Sequence, residues 1–194
     1  MSPQREDIRT GADTEFHMLR HFSEVDPSML ASIRGKGRDD KEIGEMLKAP
    51  GSRFHASFAR SIEGLLDVLF SRPFRCNEGV TGNLELEWSF PGNEYHSGVG
   101  TRSVVSIEIL TEEERRSIYS MENRGMDLLH LDVGQLPVTW ECALVLKKID
   151  NGCLFITAFP GTPALPLPHP GMSADVHALC KEFWQSHVFL SLKA

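Results

Sequence analysis

A chain of 194 residues with 41% hydrophobic and 24% charged side chains carries enough apolar surface for a buried core, which excludes a disordered or fibrous class. Its formal charge of −7, from 27 acidic and 20 basic residues, argues against a broad nonspecific nucleic-acid surface and leaves room only for a local basic patch. The four cysteines, Cys76, Cys142, Cys153 and Cys180, lack the Cys-x-x-Cys spacing of zinc and redox sites, and reduced buried thiols are expected.

Residues 1–12 are polar and carry charges where a secretory leader needs its apolar stretch, so a frayed start is expected. No run reaches the length of a membrane span. The expectation is a cytoplasmic protein without membrane contact, with delivery as a secreted effector left open. Thr14 to Phe22 suits a short helix. Asp26-Pro27 reads as an N-cap followed by proline at the first helical position, and Asp39 can cap a further helix that ends at Pro50-Gly51. Phe54, Phe58, Ile62, Leu65 and Leu69 recur at helical spacing, which predicts a long amphipathic helix from Ser52 to about Phe70.

Cys76 to Asn83 reads as a connector. Leu84 to Phe90 then alternates apolar and polar side chains, as a half-buried strand does. Val104 to Ile109 is a second strand, and Thr111-Glu112-Glu113-Glu114 is a capping box opening a helix that ends near Asn123-Arg124-Gly125. Asp127 to Val133 is a third strand. Val138 to Leu146 and Cys153 to Pro160 flank Asp150-Asn151-Gly152 and form a hairpin. The five prolines between 160 and 171 predict an extended loop, and Ser173 caps a last helix. This order predicts an α+β fold: N-terminal helices packed on a mostly antiparallel sheet of about five strands, with a C-terminal helix. Residues 1–50 read as a helical appendage and 51–194 as the core domain, or the whole as one domain.

The hairpin register groups the polar residues. With only Asn151-Gly152 in the loop, Thr157 pairs with Leu146. With a three-residue loop it pairs with Val145, and Thr139, Glu141 and Thr157 share one face. The second register is preferred because it leaves Trp140, Cys142, Leu144, Leu146, Leu154, Ile156 and Ala158 as the apolar face. The plain alternative is that threonine is simply a good strand residue. His55, at the border of the amphipathic stripe, is a candidate general acid or base, with Arg53 and Arg60 placed to flank a phosphate. His96 lies in a glycine-bearing loop with Arg102, where amides and a guanidinium suit an anion. His17 and His21, four apart, have the spacing of zinc ligands without the rest of a metalloprotease motif. No cofactor fingerprint is present.

The segment Cys153-Leu154-Phe155-Ile156-Thr157-Ala158-Phe159-Pro160-Gly161 resembles the last strand of small bacterial ribonuclease toxin domains of the barnase, colicin and RelE type. The resemblance covers at most residues 52–162. It implies metal-independent cleavage of RNA, with His55 or His96 as base or acid, Arg102 holding phosphate and Thr157 donating to it. The other reading is a noncatalytic immunity-type or adaptor domain, whose Glu85, Glu87, Glu94, Glu108 and Glu112 to Glu114 meet a basic protein partner.

Overall fold

The computed structural model describes residues 3–11, 13–123 and 126–193. The elements in chain order are β1 (Ile8–Thr10), α1 (Thr14–Met18), α2 (Pro27–Gly35), α3 (Asp40–Lys48), β2 (Arg53–Phe54), α4 (Ile62–Phe70), β3 (Arg75–Glu78), β4 (Leu84–Ser89), β5 (Gly100–Thr101), β6 (Val104–Ser106), α5 (Glu112–Arg116), β7 (Tyr119–Asn123), β8 (Met126–Val133), β9 (Val138–Thr139), β10 (Glu141–Ile149), β11 (Gly152–Pro160), α6 (Ala174–Gln185) and β12 (His187–Leu192). The α+β class holds, but the strands divide among three sheets of five, four and three strands. The chain divides into two compact units, Met1–Thr101 with Val138–Thr162 and Arg102–Pro137 with Pro163–Ala194.

Local signals explain the helix starts. Asp26, Asp39, Ser61, Thr111 and Ser173 each accept an amide of the first turn through their side chains, and Asp39 and Thr111 complete reciprocal boxes with Glu42 and Glu114. The predicted 52–70 helix is shorter. Its first part is β2 and a turn, and only Ile62–Phe70 is helical, because Arg53 and Phe54 pair with Thr101 and Gly100. Phe54 and Phe58 are buried all the same.

In the first unit the five-stranded sheet runs β1-β11-β10-β4-β3, with β1 parallel to β11 and the other pairs antiparallel. The polar start expected to fray includes Met1, Ser2 and Ala12, which lie outside the described residues; Arg5 to Asp7 is a turn of 3-10 helix and Ile8–Thr10 is the edge strand. Leu86, Cys142, Leu144, Leu146 and Phe155 join Leu65, Leu66 and Leu69 of α4 in one buried cluster. Burial of each large apolar side chain contributes roughly 1.5–3 kcal/mol.

The hairpin register combines a tighter turn with a bulge. Ile149 pairs with Gly152, so Asp150-Asn151 alone make the loop, and pairing continues to Leu146 with Phe155. A bulge then adds Ile156, and Val145 pairs with Thr157 as the preferred register requires. The apolar face is corrected accordingly: Cys153 and Phe155 are buried, whereas Ile156 and Trp140 are each 38% exposed. Gly152 has φ of 124°, and a side chain there would strike the Asp7 carbonyl, because β1 lies alongside.

In the second unit the sheet order is β6-β12-β8-β7, with β12 parallel to β8 and the other pairs antiparallel. Two of these strands differ from expectation. The helix from Thr111 stops at Arg116, and Tyr119–Asn123 pairs with β8; Arg124 and Gly125 of the expected helix end lie outside the described residues. The chain also continues after α6 into β12, whose Val188 and Leu190 are buried with Val105, Leu110 and Leu131.

Candidate functional site

Three of the four expected catalytic residues belong to the first unit, and Arg102 opens the second. His55 follows β2, is half-buried, and its amide donates to the Val99 carbonyl at 3.0 Å. His96 is exposed in the turn three residues before Val99. Thr157 is half-buried on β11, and its hydroxyl donates to the Met18 sulfur at 4.0 Å. Glu141 and Thr157 lie on one side of the five-stranded sheet, as the register beyond the bulge requires. Thr139 does not join them: it sits in the three-stranded sheet, 4% exposed, where its hydroxyl accepts from the Glu141 amide.

The remaining first-unit candidates have structural partners. Arg53 donates to the carbonyls of Phe22, Leu47 and Ala49, and Arg60 pairs with Glu24. His21 is 9% exposed and donates through Nδ1 to the Ser52 carbonyl; burial, with Arg20, Arg53 and His17 nearby, pushes its pKa down to about 3. His17 lies 5.7 Å from it, ring to ring, and among the described residues no third His, Cys, Asp or Glu joins the pair. All four cysteines are free; Cys142 pairs with Pro160 and Cys153 with Lys148, so the two are not opposite each other.

The second unit brings together groups that the sequence reading passed over. The register sets Tyr119 of β7 opposite His130 of β8, and His130 beside Phe189 of β12. Their rings form a row across three adjacent strands, with centroids 5.8 and 5.4 Å apart and planes inclined by only 25° and 24°. Phe189 stacks in turn on Trp184 of α6 at 4.5 Å. Tyr119 is 39% exposed and His130 half-buried, so this end of the row is open to solvent.

The Tyr119 hydroxyl donates to Asp132 at 2.9 Å, which raises the phenol's pKa. Asp132 lies two residues from His130 on the same strand, hence on the same side. Burial lowers the His130 pKa, and the Asp132 charge partly opposes that shift. The lowered pKa favours the neutral ring. Tyr119 and Asp132 also line a cleft of about 640 Å³ with Arg102, Gln135 and Lys193. The Nε of Arg102 is buried with no hydrogen-bond partner among the described residues. The sequence signal for this site was the His130-x-Asp132 spacing on a predicted strand, which puts a titratable ring and a carboxylate on one face. The row itself depends on pairing with β7 and β12.

No family model matches the chain, and no curated protein or solved structure matches it.

Proposed function

We propose that the chain is a ribonuclease-like domain that cleaves RNA by metal-independent acid–base chemistry, and that the second unit holds the RNA. The observation that carries this reading is the Tyr119–His130–Phe189 row, whose open end borders the Arg102 cleft. Aromatic rings aligned across a sheet offer stacking platforms to unpaired bases, worth about 1–3 kcal/mol per base. Arg102 is the group to hold a phosphate, with Lys193 lining the same cleft. In this reading neutral His130 takes the proton of a ribose 2′-hydroxyl, the oxygen attacks the adjacent phosphorus, and the 5′-oxygen leaves with a proton from a general acid. The products are a 2′,3′-cyclic phosphate and a 5′-hydroxyl. His55 and His96 are the competing candidates for the acid and base.

The test incubates the protein with unstructured RNA in EDTA. The His130→Ala variant should cleave about 10²–10⁴-fold more slowly, while the His55→Ala, His96→Ala double variant keeps its rate. The opposite pattern assigns the chemistry to the first unit. Absence of cleavage by the unaltered protein, or equal cleavage by all three, overturns the mechanism.

A second reading, a noncatalytic domain for a basic protein partner, draws on one feature of β4. Burial and the neighbouring Glu87 charge raise the Glu85 pKa, so a cationic partner would relieve a like-charge stripe. Glu94 and Glu112, by contrast, already pair with Arg72 and Arg116, and Glu114 with its own cap.

A further inference from the structure

The four-stranded sheet ends in an open strand. β7 is its outer strand, paired with β8 on one side, and all five of its residues are exposed. The strands at the other sheet edges are shorter: β1 and β6 have three residues, β3 has four, and β2 and β9 have two each. An open edge offers a row of unpaired N–H and C=O groups to another strand, and folds usually blunt it with Lys, Pro or a bulge. β7, Tyr119-Ser120-Met121-Glu122-Asn123, has none of these. Its pairing with β8 runs without a register shift, and Glu122 is its single charge. Met121, at its centre, is 50% exposed and Tyr119 39%.

This strand is complementary to itself. Antiparallel pairing with a second copy about a two-fold axis at Met121 uses all five residues and sets Met121 against Met121, Ser120 against Glu122 and Tyr119 against Asn123. The exposed methionine is then covered by its own copy, and each Glu122 meets a hydroxyl instead of a like charge. Moving the axis to Glu122 opposes two carboxylates directly, and moving it to Ser120 leaves a ladder of only three residues. Charge and ladder length therefore select the register centred on Met121.

We infer that β7 is a self-association edge, through which two copies of this chain join their four-stranded sheets into one of eight strands. The axis stands perpendicular to the sheet, so both Tyr119–His130–Phe189 rows lie on one face of the joined sheet. Five residues a side bury less than a standard interface of about 1,600 Å², and the dimer is weak and concentration-dependent. The inference goes beyond the RNA reading and does not rest on it, and its test contains no RNA.

Sedimentation velocity of the whole chain, from roughly 1 to 300 µM, reads the monomer–dimer equilibrium over the range of weak association. The unaltered protein should pass from monomer to dimer. Ser120→Glu sets a carboxylate opposite each Glu122 and should weaken the dimer about threefold or more, whereas Ser120→Lys should tighten it by a similar factor. The Ser120→Glu, Glu122→Lys double variant should regain at least the unaltered affinity. Tightening by Ser120→Lys and recovery in the double variant cannot come from misfolding. A monomer throughout the range overturns the inference, as does a dimer whose affinity the two Ser120 variants leave unchanged or shift in the same direction.

Discussion

His21 makes the fold acid-sensitive in a way that can be calculated and measured. Its pKa falls from 6.5 to about 3 because the ring is enclosed, with His17, Arg20 and Arg53 nearby, which together outweigh the opposing effect of its hydrogen bond to the Ser52 carbonyl. Unfolded chain therefore binds a proton near pH 6.5 that the folded chain refuses until about pH 3. A group with a depressed histidine pKa stabilises the fold fully above the unfolded value, and that contribution is lost as pH falls below it. At about 1.36 kcal/mol per unit, the loss between pH 7 and 4.5 is about 2.5 kcal/mol, a sizeable part of a typical domain's stability. The perturbation is His21→Asn, which keeps a donor near the Nδ1 position and removes the titration. Urea unfolding at pH 7, 5.5 and 4.5 gives the free energies. The variant should be less stable at pH 7, by about 1–3 kcal/mol, through loss of the buried ring. Its stability should then fall by about 2.5 kcal/mol less than that of the unaltered protein on going to pH 4.5. Parallel losses in the two proteins would refute the assignment of that proton to His21.

Tyr119→Ala should weaken binding of a short unstructured RNA by about 1–3 kcal/mol, roughly 5- to 150-fold, in fluorescence anisotropy, without changing far-ultraviolet circular dichroism. Gly100→Ala places a methyl group against the Arg53 carbonyl and the Pro160 ring at the junction of β2 and β5; a loss of about 2 kcal/mol or more in urea unfolding is expected. Asp39→Ala removes one half of a capping box at the start of α3, with an expected cost of about 1 kcal/mol in the same assay. Leu144→Ala, at a fully buried position of β10, should cost about 2–5 kcal/mol, which tests whether this strand lies at the centre of the core.

Much of the fold could be read from local pattern, and the exceptions share a cause. The caps at Asp26, Asp39, Thr111 and Ser173 act within four residues, so their chemistry is complete in the local sequence. Alternation over Leu84–Ser89 marked β4 for the same reason: each side chain's burial follows from its own position in the pleat. Tyr119–Asn123 carried no such signal, since all five residues are exposed and the strand exists through its pairing with β8. The apolar residues of β12 could have extended the last helix, and only the gap between β6 and β8 makes them a strand. Among candidate residues, Arg102 stood out in the sequence through its glycine-bearing neighbourhood. His130 acquires its setting from rings on β7 and β12, 11 and 59 residues away in sequence.

The sequence by itself determined the α+β class, the helix starts at Asp26, Asp39, Thr111 and Ser173, and the hairpin, because short-range sterics and hydrogen bonding govern each of these. Tertiary structure alone decided that the strands form three sheets, that a bulge at Ile156 turns Phe155 inward, and that Tyr119, His130 and Phe189 align. Those features come from strand registers between distant segments, and a register is fixed by the packing of a whole face.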